Sequence, residues 1–128
     1  VRVSIGLVLL LLSTLLLLSA PTHAADLSPS ARMEIDALLT RLGTSDCRFY
    51  RNGSWYDASK ARDHMQAKLD YLVKKGTIAS TEDFIEKVGT KSMLSGKPYK
   101  VSCPQQDEQP SAAWFSSELR QIREKHGR

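Results

Sequence analysis

Cys47-Arg48-Phe49-Tyr50-Arg51-Asn52-Gly53-Ser54-Trp55-Tyr56 is the stretch whose reading decides the fold. Residues 47–51 have strand composition and partial alternation. Asn52-Gly53 favours a two-residue type I′ hairpin turn, because both central positions of that turn need positive φ. With this pair as the loop, Arg51 faces Ser54, Tyr50 faces Trp55 and Phe49 faces Tyr56. Two aromatic cross-strand pairs then support a very short hairpin. The returning arm, Ser54 to Tyr56, is expected either as a strand or as an extended segment.

The second strand signal lies far along the chain. Tyr99-Lys100-Val101-Ser102-Cys103 alternates cleanly and puts Tyr99, Val101 and Cys103 on one face. Gly96-Lys97-Pro98 before it reads as a turn, Pro104 ends it, and residues 105–110 read as a polar linker.

What joins these two segments follows from the N-terminus. Arg2 is followed by an apolar, Leu-rich run from Ile5 to Leu18 and then by Pro21-Thr22-His23-Ala24-Ala25. That is the three-part order of a secretory signal peptide. The run falls short of the roughly 20 apolar residues a comfortable membrane span needs. Thr22 and Ala24 fit the small-residue positions before a cut, so cleavage is expected between Ala24 and Ala25. Residues 1–24 are then the signal peptide, and residues 25–128 form one domain. The alternative is an uncleaved N-terminal segment that tethers the protein to a membrane. Two cysteines in an exported chain favour a bond between Cys47 and Cys103. An antiparallel register with those residues opposite also sets Phe49 opposite Val101 and Arg51 opposite Tyr99. All six share one face, and Cys47–Arg51 becomes the central strand.

Four helices are expected around this sheet. Ser28-Pro29 reads as an N-cap with Pro at the first helical position. Ile35, Leu38, Leu39 and Leu42 form the inward stripe of that helix, and Gly43 is its expected stop. Asp57 caps a second helix with the stripe Ala58, Ala61, Met65, Leu69 and Leu72, running to about Lys75 before Gly76. Ser80 caps a third, with Phe84, Ile85 and Val88 inward. Met93 and Leu94, in the polar connection 89–95, are expected to plug the core. Ser111 caps the last helix, with Trp114, Phe115, Leu119 and Ile122 inward, ending near Lys125. The fold class is therefore α+β: a small helix-dominated domain, about four helices packed on a short two- or three-stranded antiparallel sheet.

The hairpin block, continuing through Asp57, Ala61, His64 and Lys68, has two companions: Ser80-Thr81-Glu82-Asp83-Phe84-Ile85 and Ser95-Gly96-Lys97-Pro98-Tyr99. Together they resemble the YfeK-like family of small exported bacterial proteins, a domain of unknown function. The similarity runs over roughly residues 35–122. It implies a bacterial, periplasmic or secreted protein and brings no activity, cofactor or catalytic residue.

Five residues are candidates for binding a ligand: Arg51, Trp55, Tyr56, His64 and Lys97. Arg51 offers a planar fork for a carboxylate or phosphate. Trp55 and Tyr56 offer an aromatic surface, although hairpin packing explains them equally well. His64 shares a helix face with Asp57, Ala61 and Lys68. No carboxylate stands one turn away to orient its ring, so a half-buried imidazole bonded to a nearby loop is favoured over a general base. Ser95-Gly96-Lys97 lacks the full phosphate-loop pattern and leads into a strand rather than a helix. No His or Cys spacing suggests a metal, no nucleophile elbow is present, and no cofactor is implied. The formal net charge of +4 falls to +3 when Arg2 leaves with the signal peptide, a balance ordinary for a soluble domain. Its excess at Arg120, Arg123, Lys125 and Arg128 reads as a solvated helix end rather than a nucleic-acid surface. The expected function is a monomeric, non-enzymatic binding or accessory protein of the cell envelope, acting on an envelope partner or small ligand. A small hydrolase or transferase using His64 is the enzymatic alternative, and a membrane-tethered structural protein is the third.

Overall fold

Eight elements follow one another: α1 (Pro29–Thr44), β1 (Arg48–Arg51), β2 (Ser54–Tyr56), α2 (Ala58–Lys74), α3 (Thr81–Lys87), β3 (Lys100–Ser102), β4 (Gln109–Pro110) and α4 (Ser111–His126). The structure is a computed structural model that describes residues 25–127 and the isolated Ser19. The signal-peptide reading falls on residues outside these. Among the described residues, no helix is long and apolar enough to cross a membrane.

The hairpin forms as its turn chemistry dictates. Asn52 and Gly53 both take positive φ, 48° and 89°. The β1–β2 register is Phe49 to Tyr56, Tyr50 to Trp55 and Arg51 to Ser54, so the three-residue arm is a true strand. On the other side, β3 runs antiparallel with Phe49 against Val101. Cys47 and Cys103 sit just beyond the ends of β1 and β3, at disulfide distance, with Cα atoms 4.1 Å apart. The sheet order is β2-β1-β3-β4, which adds a fourth strand to the expected two or three. That strand is the end of the stretch read as a linker: Lys100 pairs with Pro110 and Val101 with Gln109. Two residues are too few to show alternation, so only the tertiary pairing reveals it.

One face of the sheet packs on the helices. Phe49, Tyr99 and Val101 are buried there with Leu38, Leu42, Phe84, Trp114 and Phe115 in one core. The aromatic rings meet edge to face: Phe49–Trp114 at 5.8 Å, Trp114–Phe115 at 5.1 Å and Phe84–Phe115 at 5.4 Å between centroids. Ser28, Asp57 and Ser80 cap α1, α2 and α3 as expected, each accepting from a backbone N–H three residues on. Gly76 ends the region of α2 with φ 70°.

Four local expectations are corrected. Gly43 does not stop α1, which continues through Thr44. The glycine is instead where α1 and α2 approach closely: a Cβ there would lie 2.5 Å from Arg62 Cδ. Ser111 is not a cap either. Pro110 holds the N-cap position of α4, and the buried Ser111 hydroxyl donates to the Gly89 carbonyl. Met93 and Leu94 do not plug the core, being 55% and 95% exposed. They form the tip of a turn pinned from beneath by Ser92, whose buried hydroxyl oxygen accepts from the Leu94 and Ser95 N–H groups. Ile78, from the connection after α2, is a loop residue that does enter the core. Finally, the cationic end of α4 is not simply solvated. Arg123 reaches Glu34 of α1 at 2.7 Å and Glu82 of α3 at 2.8 Å, tying three helices together. Glu34 also accepts from Thr81, and the Arg123 bond above all holds its carboxyl below the usual carboxylate range.

Gly89 carries a measurable consequence. Any Cβ at this position would come within 2.8 Å and 2.9 Å of the fully buried Phe115 ring. Gly89→Ala is therefore expected to destabilise by about 2 kcal/mol through overpacking. Urea denaturation checks this, and an unchanged midpoint would mean that the ring can move aside at no cost.

Candidate functional site

The alternation of β1 divides its side chains between the core side and the outer side of the sheet. Phe49 and Arg51 turn inward with Tyr56, while Tyr50 and Trp55 pair on the outer face, ring centroids 5.3 Å apart. The start of α2 passes over the inward set. Between them lies a pocket of about 170 Å³, whose lining includes Arg51, Tyr56, Lys60, His64, Met65 and Tyr99. Three of the five candidate residues, Arg51, Tyr56 and His64, thus converge. The other two do not. Trp55, 36% exposed, lies on the opposite face, and Lys97 sits exposed in the turn after Ser92. That turn is itself clasped to the hairpin loop: Asn52 Nδ2 donates to Ser92 Oγ at 3.1 Å, and Ser95 Oγ donates to Asn52 Oδ1 at 2.6 Å.

Two lining residues, His64 and Tyr99, belong to a hydrogen-bonded chain that ends on the buried Lys68. Lys68 is only 5% exposed although it carries an ammonium. Its Nζ donates to the Val88 carbonyl at 3.0 Å, the Lys91 carbonyl at 2.6 Å and the Tyr99 hydroxyl at 3.3 Å. Three acceptors match the three donors of an ammonium. Burial pulls the Lys68 pKa down to about 8, which still leaves it charged at neutral pH. His64 Nε2 lies 3.2 Å from the same Tyr99 hydroxyl. Because lysine can only donate, the phenolic oxygen accepts from Lys68, and the tautomer of His64 sets whether the phenol or Nε2 donates in the second bond. Burial, then the positive charges of Arg51 and Lys68, depress the His64 pKa to about 4. Burial also raises the Tyr99 phenol above its ordinary value. At neutral pH the chain is Lys68⁺, neutral phenol, neutral imidazole.

The expectation of a half-buried His64 is met, but its partner is the Tyr99 hydroxyl at the head of β3 rather than a loop carbonyl. Arg51 stacks its guanidinium over the Tyr56 ring, 5.1 Å from the centroid. None of the residues lining the pocket is acidic. A larger groove of about 810 Å³ runs between α3 and α4, but its charges are mixed and Arg123 and Glu82 there already pair with each other.

Sequence reasoning missed Lys68, Lys60 and the polar role of Tyr99. Lys68 stands three residues after Met65 and four before Leu72, inside the apolar stripe of α2. That position was its one available signal. A lysine there ordinarily extends its amine to water. Its burial depends on the Val88 and Lys91 carbonyls, which tertiary structure brings over α2.

The depressed His64 pKa gives a pH prediction. An unfolded histidine titrates near 6.5 and the folded one at about 4, so between these values the unfolded state binds more protons. Stability is therefore greatest above pH 6.5 and falls as the pH drops toward 4, by on the order of 2–3 kcal/mol from this group. His64→Gln keeps an acceptor for Tyr99 and does not titrate. It should cost about 1 kcal/mol at pH 7 and show a shallower acid limb in urea midpoints measured from pH 7 to 4. Parallel acid limbs for the two proteins would refute the assignment.

The fold and site define a small α+β domain with a cysteine pair beside its sheet and a cationic, aromatic-walled pocket. The chain belongs to the family of unknown function DUF5329, whose model matches residues 29–123. It is 34% identical over 85 residues to the uncharacterized protein YfeK of Salmonella typhimurium, covering 66% of this chain and 68% of that protein. No solved structure matches it.

Proposed function

We propose that this is an exported, non-enzymatic protein of the bacterial cell envelope that binds a ligand or partner in the pocket between α2 and the hairpin. The observation that carries the reading is the convergence of Arg51, Tyr56 and His64 on one concave site with no carboxylate among its lining residues. Sites of this kind, apolar walls with a few convergent polar groups, are built for binding. Export is supported by the signal-like sequence 1–24 and by cysteines held at disulfide distance. Acid–base chemistry draws little support from the site. His64 lies within reach of a hydroxyl, but that phenol is raised, not activated, and no carboxylate lining the pocket orients the imidazole.

The test starts from full-length protein expressed in bacteria and recovered from the envelope fraction. Its intact mass should place the N-terminus at Ala25; a retained N-terminal segment would favour the tethered protein instead. Native mass spectrometry and pull-down should then find a co-purifying ligand or partner that Arg51→Ala and Tyr56→Ala remove. The reading fails if nothing is retained and neither substitution alters any envelope phenotype.

A further inference from the structure

We propose that the pocket between α2 and the hairpin receives a carboxylate joined to a ring-sized apolar group, with the head on Arg51 and Lys60 and the body among Phe49, Tyr56, Met65 and Tyr99. This rests on reading the pocket as the ligand site.

The head follows from charge. Arg51 and Lys60 both line the pocket, and no acidic side chain does. Arg41, Lys87, Lys100 and Arg123 each reach a carboxylate elsewhere in the domain. Among the described residues, the side chains of Arg51 and Lys60 make no ion pair. The Arg51 guanidinium lies over the Tyr56 ring, 5.1 Å from its centroid, and among the described residues its N–H fork pairs with no carboxylate. A planar fork held in this way matches the two oxygens of a carboxylate. Next to it, the neutral imidazole of His64 brings neither a competing anion nor a further fixed cation.

The body follows from size and lining. A volume of about 170 Å³ is close to that of an apolar cavity of roughly 150 Å³, which accepts a benzene ring. Phe49, Tyr56, Tyr99 and the Met65 thioether are among its lining residues. A bare inorganic anion would leave these walls uncovered, and a nucleotide would not fit. The same chemistry is offered by a free aromatic or branched acid and by the C-terminal residue of a peptide.

The probes are phenylacetate, its neutral counterpart benzyl alcohol, inorganic phosphate, and the dipeptide Ala-Phe with a free or amidated C-terminus. Each is titrated into the exported protein while the Arg51 Nε and His64 ring resonances are followed by NMR. Phenylacetate or free-acid Ala-Phe should shift both groups, and benzyl alcohol and phosphate should bind at least about 10-fold more weakly. A bound carboxylate offsets the positive surroundings of His64, so its titration should move upward from about 4. Arg51→Lys keeps the charge and loses the fork, and should weaken binding about 10-fold. Lys60→Ala alters an exposed position near the start of α2 and should weaken it less without disturbing the fold. Phenylacetate alone binding identifies a small acid; the free-acid dipeptide binding more tightly than both phenylacetate and its amide identifies a peptide terminus. Equal binding of benzyl alcohol or of phosphate overturns the carboxylate proposal while leaving the pocket as a ligand site. Absence of any shift at these resonances with every probe at about 10 mM overturns the proposal, and if no endogenous ligand co-purifies either, the pocket reading falls with it.

Discussion

Lys68→Ala is expected to lower the stability of this domain by about 4 kcal/mol, measured by urea denaturation at pH 7. Two physical losses add. The buried stem of Lys68 gives up about three methylenes of packing, worth roughly 2 kcal/mol. The Val88 carbonyl and the Tyr99 hydroxyl lose their donor, at about 1–3 kcal/mol for each group that water cannot reach. Removing a buried charge gives some of this back, because ammonium burial is itself costly. Lys68→Met separates the contributions. It keeps the packing, loses the donors and sheds the charge, so its cost should be about 1–2 kcal/mol. The pH dependence identifies the charge. Lysine titrates near 10.5 when unfolded and at about 8 here, so between those values the unfolded state holds more protons and wild-type stability should rise with pH. Lys68→Met should lack that rise. If Lys68→Ala costs under about 1 kcal/mol, the chain Lys68–Tyr99–His64 is not a structural element, and His64 and Tyr99 must be held otherwise.

What could be read from sequence divides along the range of the interactions. The hairpin was legible because Asn52-Gly53 fixes its own turn, and the turn fixes the register. The pairing of β1 with β3 was legible only because two cysteines link segments far apart in sequence. Gly43 and Ser111 were misread because each has a local meaning, stop or cap, that a packing neighbour overrides: Arg62 for the first, the Gly89 carbonyl for the second. Met93 and Leu94 look like core residues in any scan of composition. They are exposed because Ser92 anchors the turn beneath them through the N–H groups two and three residues on, a local serine turn that composition alone does not show.

The site follows the same division. Arg51 and Tyr56 share the inward face by strand alternation, and Trp55, next to Tyr56 in the chain, must then face outward. The hairpin register therefore already excluded Trp55 from a pocket built on Arg51. The contribution of α2 was less accessible. His64 and Lys68 lie one turn apart on a helix, but their convergence on a single hydroxyl depends on Tyr99 arriving from β3, thirty-odd residues later.

The second large effect expected concerns Cys47 and Cys103. They are 56 residues apart in sequence and nearly buried between the sheet and α4. In the chain-entropy account, a bond closing a loop of that length stabilises by about 4 kcal/mol, because it restricts the unfolded chain rather than adding contacts to the folded one. For a domain of this size that corresponds to a fall in Tm on the order of 20 °C when the bond is opened. Two measurements test it together. Thiol titration of exported, denatured protein should find no free thiol before reduction and two after, and thermal unfolding with and without reductant should show the drop. Cys47→Ala with Cys103→Ala should reproduce the reduced protein. The expectation also bears on where the protein works. A small domain that gains this much from one cross-link loses a large share of its stability wherever thiols are kept reduced. Full-length protein retained in the cytoplasm should therefore be degraded or insoluble, while the exported form accumulates. Two free thiols in the exported protein, with a Tm indifferent to reductant, would remove both the bond and the strongest structural support for export.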